Sequence, residues 1–316
     1  MILDLHDPSL DEYREEARKF ADAFAERSAE RGAPDFSTPE GLAAARDVSG
    51  YGFGAGNAAD LGIMPEDREA SAGGAVVPVR VFRPEGDTRG VYLDIHGGGF
   101  YLGSASMGDV RNARYVETLG VAVVSVEYRL APEHPWPAGP DDCETAAHWL
   151  IEMAEREFGT SRLLIGGASA GANLSVATLL RVRDKLDAID HFVGANLLYG
   201  PYDLSGFSPS GRIHAAASAL FRPQYMGHVP EPDRTDPDIS PLFAHLHDMP
   251  PALFSVGSAD GLYEDNVAMA MRWAAAGNEC ELDVYPDSPH GFDVFPMQMA
   301  EAARVKTMRW LDAHLS

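Results

Sequence analysis

The sequence predicts an α/β protein: a mostly parallel β-sheet flanked on both faces by helices, with additional helical material covering one edge. Two observations carry this. Short, β-branched apolar runs alternate along the chain with longer stretches of helical periodicity, the pattern of a parallel sheet buried on both sides. One interval, Pro201 to Pro250, breaks that rhythm with about 50 residues rich in Pro, Phe and His, far longer than an ordinary connection. At 316 residues, length admits two domains or one large α/β unit.

Taken in order, Ser9 and Glu12 read as a capping box. Leu10, Tyr13, Ala17, Phe20 and Phe24 then recur at helical spacing. Residues 33–60 are rich in Gly, Ala and Pro and read as irregular, with a short helix near Pro39. Strands are expected at Val76–Phe82, Val91–Ile95, Val121–Val126, Leu163–Ile165, Phe192–Leu198, Leu253–Val256 and Glu281–Tyr285. Helices are expected near 106–118, 139–157, 170–186, 264–276 and 296–314. Leu163 to Leu180 carries no charge, but its Gly, Ser, Asn and Thr content fits a strand, a turn and a buried helix better than a membrane span. The expected division is a core of residues 51–200 and 239–316 under a cap of residues 1–50 and 201–238.

Charge and cysteine content narrow the function. There are 48 Asp and Glu against 25 Lys and Arg, net −23. Such a surface repels phosphate backbones and anionic lipid heads, so neither nucleic acid nor membrane is an expected partner. The acidic N-terminus is the opposite of a secretory signal, and a soluble cytoplasmic protein is expected. Cys143 and Cys280 provide neither a disulfide framework nor paired metal-ligand spacing. No metal or organic cofactor is expected.

The chemistry sits at the ends of the strands. Gly167-Ala168-Ser169-Ala170-Gly171 reads G-x-S-x-G between a strand and a helix. Its glycines permit a sharp turn that holds the Ser169 hydroxyl out at the sheet edge. His96-Gly97-Gly98-Gly99-Phe100 follows the strand Val91–Ile95. A run of glycines leaves backbone N–H groups unobstructed, so that two can aim at one developing oxyanion. The N–H of Ala170, the residue after the serine, is the candidate third donor. His96 is expected to orient the loop. A serine needs a base, and His290 stands in a loop beyond the strand Glu281–Tyr285. His214, His228, His245 and His247 lie in the long interval without such placement. The base needs an acid: Asp260 is the first carboxylate after the strand Leu253–Val256. Glu264 and Asp265 are its rivals, although both read more naturally as favourable charge in the first turn of the next helix. The order Ser169, Asp260, His290 is that of the α/β-hydrolase triad.

Five stretches, HGGGF (96–100), YRLAPEH (128–134), GASAGANL (167–174), DISPL (238–242) and SPHGF (288–292), resemble the hormone-sensitive-lipase-like carboxylesterases of the α/β-hydrolase fold over residues 75–315. The resemblance implies an eight-stranded sheet under a two-piece cap and cofactor-free hydrolysis of small acyl esters by Ser169, His290 and Asp260. An oxyanion hole at Gly98, Gly99 and Ala170 and possible homodimers are also implied. Two positions depart from the family's elbow: Ala168 stands where Asp is usual and Ala172 where Gly is usual. Substrate-pocket candidates are Phe100, Tyr101, Tyr202, Phe207, Phe221 and Leu262. An amidase or deacetylase with the same triad, or a non-catalytic binding protein on the same fold, would share these motifs.

Overall fold

The computed structural model describes residues 7–31, 35–36, 38–47, 62–211 and 221–316. Most of the stretch read as irregular, including 48–60, and His214 lie outside the described residues. Eight strands form one sheet in the order β1-β2-β4-β3-β5-β6-β7-β8. They are β1 (Glu66–Ala72), β2 (Ala75–Phe82), β3 (Val91–Ile95), β4 (Ala122–Val126), β5 (Leu163–Ala168), β6 (Phe192–Leu198), β7 (Ala252–Gly257) and β8 (Cys280–Tyr285). The β1–β2 and β2–β4 pairs are antiparallel and the rest are parallel.

Seven of these strands follow from apolar runs; β1 does not. Its sequence, Glu-Asp-Arg-Glu-Ala-Ser-Ala, is charged because it is a sheet edge with only Ala70 and Ala72 buried. A signal for it was present. Gly73 and Gly74 join β1 to β2 with Ala72 opposite Ala75, and both have positive φ (58° and 82°). A Gly-Gly pair is a hairpin turn of the kind that needs φ > 0 at both centres.

Helices cover both faces. α3 (Asp109–Leu119) and α8 (Gln298–His314) pack with Tyr92, Val123 and Leu164 of the strands on one face. α4 (Ala138–Phe158), α5 (Ala170–Arg181) and α7 (Tyr263–Ala275) pack with Leu93, Val124 and Ile165 on the other. Neighbouring residues of one strand thus enter different cores, the period-2 consequence of the pleat. Every residue of α5 is buried, which explains the uncharged run that ends at Leu180. No helix among the described residues is long and apolar enough to cross a membrane.

The chain enters through α1 (Arg14–Arg31), preceded by a 3₁₀ turn, Pro8–Tyr13. The expected Ser9 capping box is replaced by Asp7, whose side chain accepts from the Ser9 N–H at 2.9 Å. Proline at N1 leaves an early N–H that Asp7 reaches first. Leu10, Tyr13, Ala17 and Phe20 pack against Val284, Phe295 and Ala300. α2 (Pro39–Arg46) is capped by Thr38, which accepts from the Gly41 N–H. The long interval holds α6 (Arg222–Met226) and two 3₁₀ turns, Glu231–Thr235 and Pro241–Phe243. Tyr202, Leu204, Met226 and Ile239 of this interval join the main core.

The strand order decides where a site can form. From β3 the chain moves outward to β4, then returns to β5 on the other side of β3. A crevice opens at such a reversal, beyond the carboxyl ends of the diverging strands. His96 follows β3 there, and Ser169 follows β5.

Candidate active site

The turn after β5 shows why its glycines are needed. A Cβ on Gly167 would meet the Ile95 carbonyl oxygen at 2.2 Å, and one on Gly171 would meet the same oxygen at 1.9 Å. The elbow is therefore pressed against the end of β3 at two points. Ser169 between them adopts φ 56°, ψ −120°, a strained conformation for a residue with a Cβ. Its N–H is held by the Leu198 carbonyl at 2.8 Å. The two departures from the family's elbow are accommodated without loss of these contacts. Ala172 sits against Gly200, where an added Cβ would lie 2.8 Å from the Ala172 methyl. A larger neighbour is thus matched by a smaller one.

His290 stands in the loop beyond β8, at the same edge of the sheet. Its Nε2 lies 3.0 Å from Ser169 Oγ and its Nδ1 lies 2.8 Å from Asp260 Oδ2. An ionised carboxylate can only accept, so Nδ1 carries the hydrogen and Nε2 is free to accept from the serine hydroxyl. Asp260 is buried, and its second oxygen accepts from the Leu262 N–H at 2.8 Å. Burial opposes a charge on His290, yet the charge and hydrogen bond of Asp260, together with the charge of Asp293, hold the imidazole above its usual value near 6.5. The rival carboxylates go elsewhere. Glu264 is exposed. Asp265 is buried, accepting from the N–H groups of Tyr202 and Asp203 and from the Ser210 hydroxyl. It lies in the first turn of α7, as expected, but it is buried: burial raises its carboxyl to about 6, and it anchors the long interval.

The glycine run after β3 adopts positive φ at Gly98 (121°) and Gly99 (56°). A Cβ on Gly98 would strike the Leu102 carbonyl oxygen at 2.1 Å. Among the described residues, no main-chain hydrogen bond uses the N–H of Gly98, Gly99 or Ala170. His96 holds the loop from beneath. Its Nδ1 bonds the Gly97 carbonyl at 2.8 Å, and its ring stacks on Tyr128 at 4.1 Å. Burial lowers its imidazole to about 4, so it is a neutral donor there. The YRLAPEH stretch continues the support: the Tyr128 hydroxyl donates to the His96 carbonyl, and the Ala131 N–H to the Phe100 carbonyl.

The pocket candidates separate into groups. The Tyr101 and Phe221 rings come within 3.0 and 3.5 Å of the space beside Gly99. Leu262 is buried beside Asp260. Phe100 stacks flat on Tyr225 at 4.0 Å, and Tyr202 packs edge-on to Phe254. Both are essentially inaccessible, so they belong to the core rather than to a pocket lining. Phe207, at 53% exposure, faces outward; its neighbours Gly206 and Ser208 donate their N–H groups to Asp203.

Two residues near His290 were not singled out from the sequence. The Tyr199 ring lies against the imidazole at 4.9 Å and 70°, and its hydroxyl donates to Asp293. Asp238 of the DISPL stretch also gains a place. It takes a two-pronged contact from Arg181 (2.5 and 2.7 Å) and a third from Trp136 Nε1 (2.8 Å). Asn173 of the elbow helix ties both ends of the interval by donating to the Pro201 and Ile239 carbonyls.

The chain is similar to known hydrolases. A family model described as alpha/beta hydrolase fold matches residues 92–294. A curated relative, carboxylesterase NlhH of Mycobacterium tuberculosis, is 34% identical over 72% of this chain and 74% of its own length. Ethyl acetate hydrolase of Pseudomonas putida is 33% identical over 69% and 72%. Among solved structures, a hormone-sensitive lipase from a metagenome library superposes with TM-score 0.69 at 31% identity, covering 80% of this chain and 85% of that one.

Proposed function

Because the chain belongs to the alpha/beta hydrolase fold family, in its hormone-sensitive-lipase-like carboxylesterase branch, we propose that it hydrolyses small acyl esters through an acyl-enzyme formed on Ser169. The chain is a carboxylic ester hydrolase. The observation that carries it is the unbroken chain from Ser169 Oγ through His290 to Asp260, with hydrogen bonds of 3.0 and 2.8 Å on a strained elbow.

His290 takes the serine proton as Oγ attacks the ester carbonyl. The carbonyl oxygen becomes an anion, and the N–H groups of Gly98, Gly99 and Ala170 stabilise it. Each such donor typically contributes about 10²–10³ in turnover. His290 then gives its proton to the leaving alcohol. Water, deprotonated by the same imidazole, attacks the acyl-enzyme and restores the serine. Asp260 keeps Nδ1 protonated throughout and stabilises the imidazolium between the two transfers.

A small acyl group is favoured by the two rings beside Gly99 and by the relative named for ethyl acetate. The N-terminal segment and the 201–238 interval act as the cap. Arg46 at the end of α2 donates to the Tyr101 and Ala131 carbonyls, which flank the glycine loop.

Ser169→Ala should remain folded and lose about 10⁴-fold or more of its turnover of p-nitrophenyl acetate. Full retained turnover overturns the assignment. Asp260→Asn should lose about 10³–10⁴-fold, whereas Glu264→Gln should be close to wild type; the reverse pattern would move the acid.

A further inference from the structure

Behind the imidazole lies a second carboxylate. Tyr199 ends β6 with φ 39°, an uncommon value for an aromatic residue. This turns its ring toward His290 and its hydroxyl toward Asp293. Asp293 is buried, three residues beyond His290, in the 3₁₀ turn Phe292–Val294. Its main-chain oxygen accepts from Arg304 of α8 at 2.5 Å, which fixes the turn. We propose that Tyr199 and Asp293 form a positioning pair for His290, a second acid arm that holds the ring over Ser169 and favours the imidazolium formed between the two proton transfers. The proposal rests on the reading of His290 as the base.

The physical case is as follows. Asp260 reaches only Nδ1, and the Ser169 bond to Nε2 is given up when the serine attacks, so the ring can then rock about the Asp260 contact. The Tyr199 ring stops that rocking, and Asp293 fixes the Tyr199 ring. Donation of the phenol proton toward a carboxylate also makes the aromatic ring a better neighbour for a cation. The other ionisable groups on the packed elements do not compete. Arg111 of α3 is committed to the buried Asp94 at 2.6 Å, although its charge reaches Asp293 and Tyr199. Tyr115, raised by burial to about 12, stays neutral, as does Tyr285, which burial also raises. Asp260 is the other charge that acts on His290.

The test is the acid limb of kcat/KM for p-nitrophenyl acetate, with a thermal melt of each variant. In the wild type the limb should lie above the ordinary imidazole range, since the imidazole must be neutral to accept and Asp260 and Asp293 favour its charged form. Asp293→Asn removes a negative charge that favours the cation. Its limb should move to lower pH by about half a unit or more, and kcat should fall about 3- to 10-fold with KM little changed. Tyr199→Phe should move the limb the same way by less. The double variant should add nothing to Asp293→Asn, because the two act as one unit. Asp293→Glu should restore part of the shift. A limb unmoved in folded Asp293→Asn and in Tyr199→Phe overturns the proposal and leaves His290 as base untouched. Full turnover in His290→Ala would remove that reading instead. If Asp293→Asn does not fold, Tyr199→Phe, which loses one hydroxyl, decides.

Discussion

The N-terminal helices and the 201–238 interval are fastened to the sheet by different physics. Apart from the apolar packing of Leu10, Tyr13, Ala17 and Phe20, the N-terminal segment is held by ion pairs at the surface. Arg14 and Arg18 of α1 both reach Asp287, in the loop that carries His290, at 2.8 and 2.9 Å. Arg46 of α2 pairs with Glu133 beside the glycine loop. The 201–238 interval is held by buried charge. Arg181, 9% exposed, gathers Asp238, Asp141 and Glu144. Asp265 receives two backbone N–H groups and a hydroxyl from residues 202–210. Surface pairs contribute little and are screened by salt. Buried pairs are costly to form, but leaving one half of them unpaired costs far more. The described residues of the interval are therefore fixed to the core by buried charge. The N-terminal helices form a strap that touches both the loop that carries His290 and the glycine loop.

This contrast can be broken from its strongest end. Arg181→Ala would take the shared cation from Asp238, Asp141 and Glu144. It should destabilise the fold by about 3–5 kcal/mol, read as a fall in the urea midpoint that added salt does not restore. A loss under 1 kcal/mol would show that the interval is not held by charge. Arg181→Lys should recover little, since a lysine cannot make the two-pronged contact with Asp238.

Asp265 sharpens the comparison through pH. Its carboxyl is raised from 3.8 to about 6 by burial, which outweighs its three hydrogen bonds. The folded state therefore holds this proton more tightly than the unfolded state does. The contribution of this group is fully present below about pH 4 and is lost as pH rises to about 6. Asp265→Asn can still accept from the two N–H groups and donate to Ser210. It should keep stability near wild type at pH 7 while flattening the dependence between pH 4 and 6. Asp265→Ala leaves three donors without a partner and should cost about 2–4 kcal/mol. Equal behaviour of Asn and Ala in chemical denaturation would contradict the anchor described.

The smallest effects belong to the strap. Arg46→Ala should cost about 1 kcal/mol and lower kcat/KM several-fold, since it frees the carbonyls that flank the glycine loop. Arg14→Ala with Arg18→Ala should cost less than about 1 kcal/mol, with the deficit fading as salt rises. A deficit that persists at 1 M salt would mean that α1 is held by Tyr13, Ala17 and Phe20 packing rather than by Asp287.

Much of the fold was legible because it is written in local patterns. Runs such as Val91–Ile95 and Val121–Val126 cannot be exposed without cost, so they report buried strands. Gly167 and Gly171 were legible as an elbow because the demand on them is local and steric: no side chain fits within about 2 Å of the Ile95 carbonyl. The order of Ser169, Asp260 and His290 followed from the position of each just past a strand. β1 was not legible from apolar content, because an edge strand needs none; the Gly73-Gly74 turn was its only local mark.

What the sequence by itself determined, then, is the set of chemical groups at the strand ends and the backbone freedom that lets them be there. Only the tertiary structure decided which distant carboxylate each cation and ring would meet. Tyr199 and Asp293 are 94 positions apart, Arg181 and Asp238 are 57 apart, and Asp265 holds residues more than 50 positions before it. Periodicity and turn chemistry act over one turn or one pleat. A charge pair depends on which strands lie side by side, and that order follows from the packing of the whole sheet.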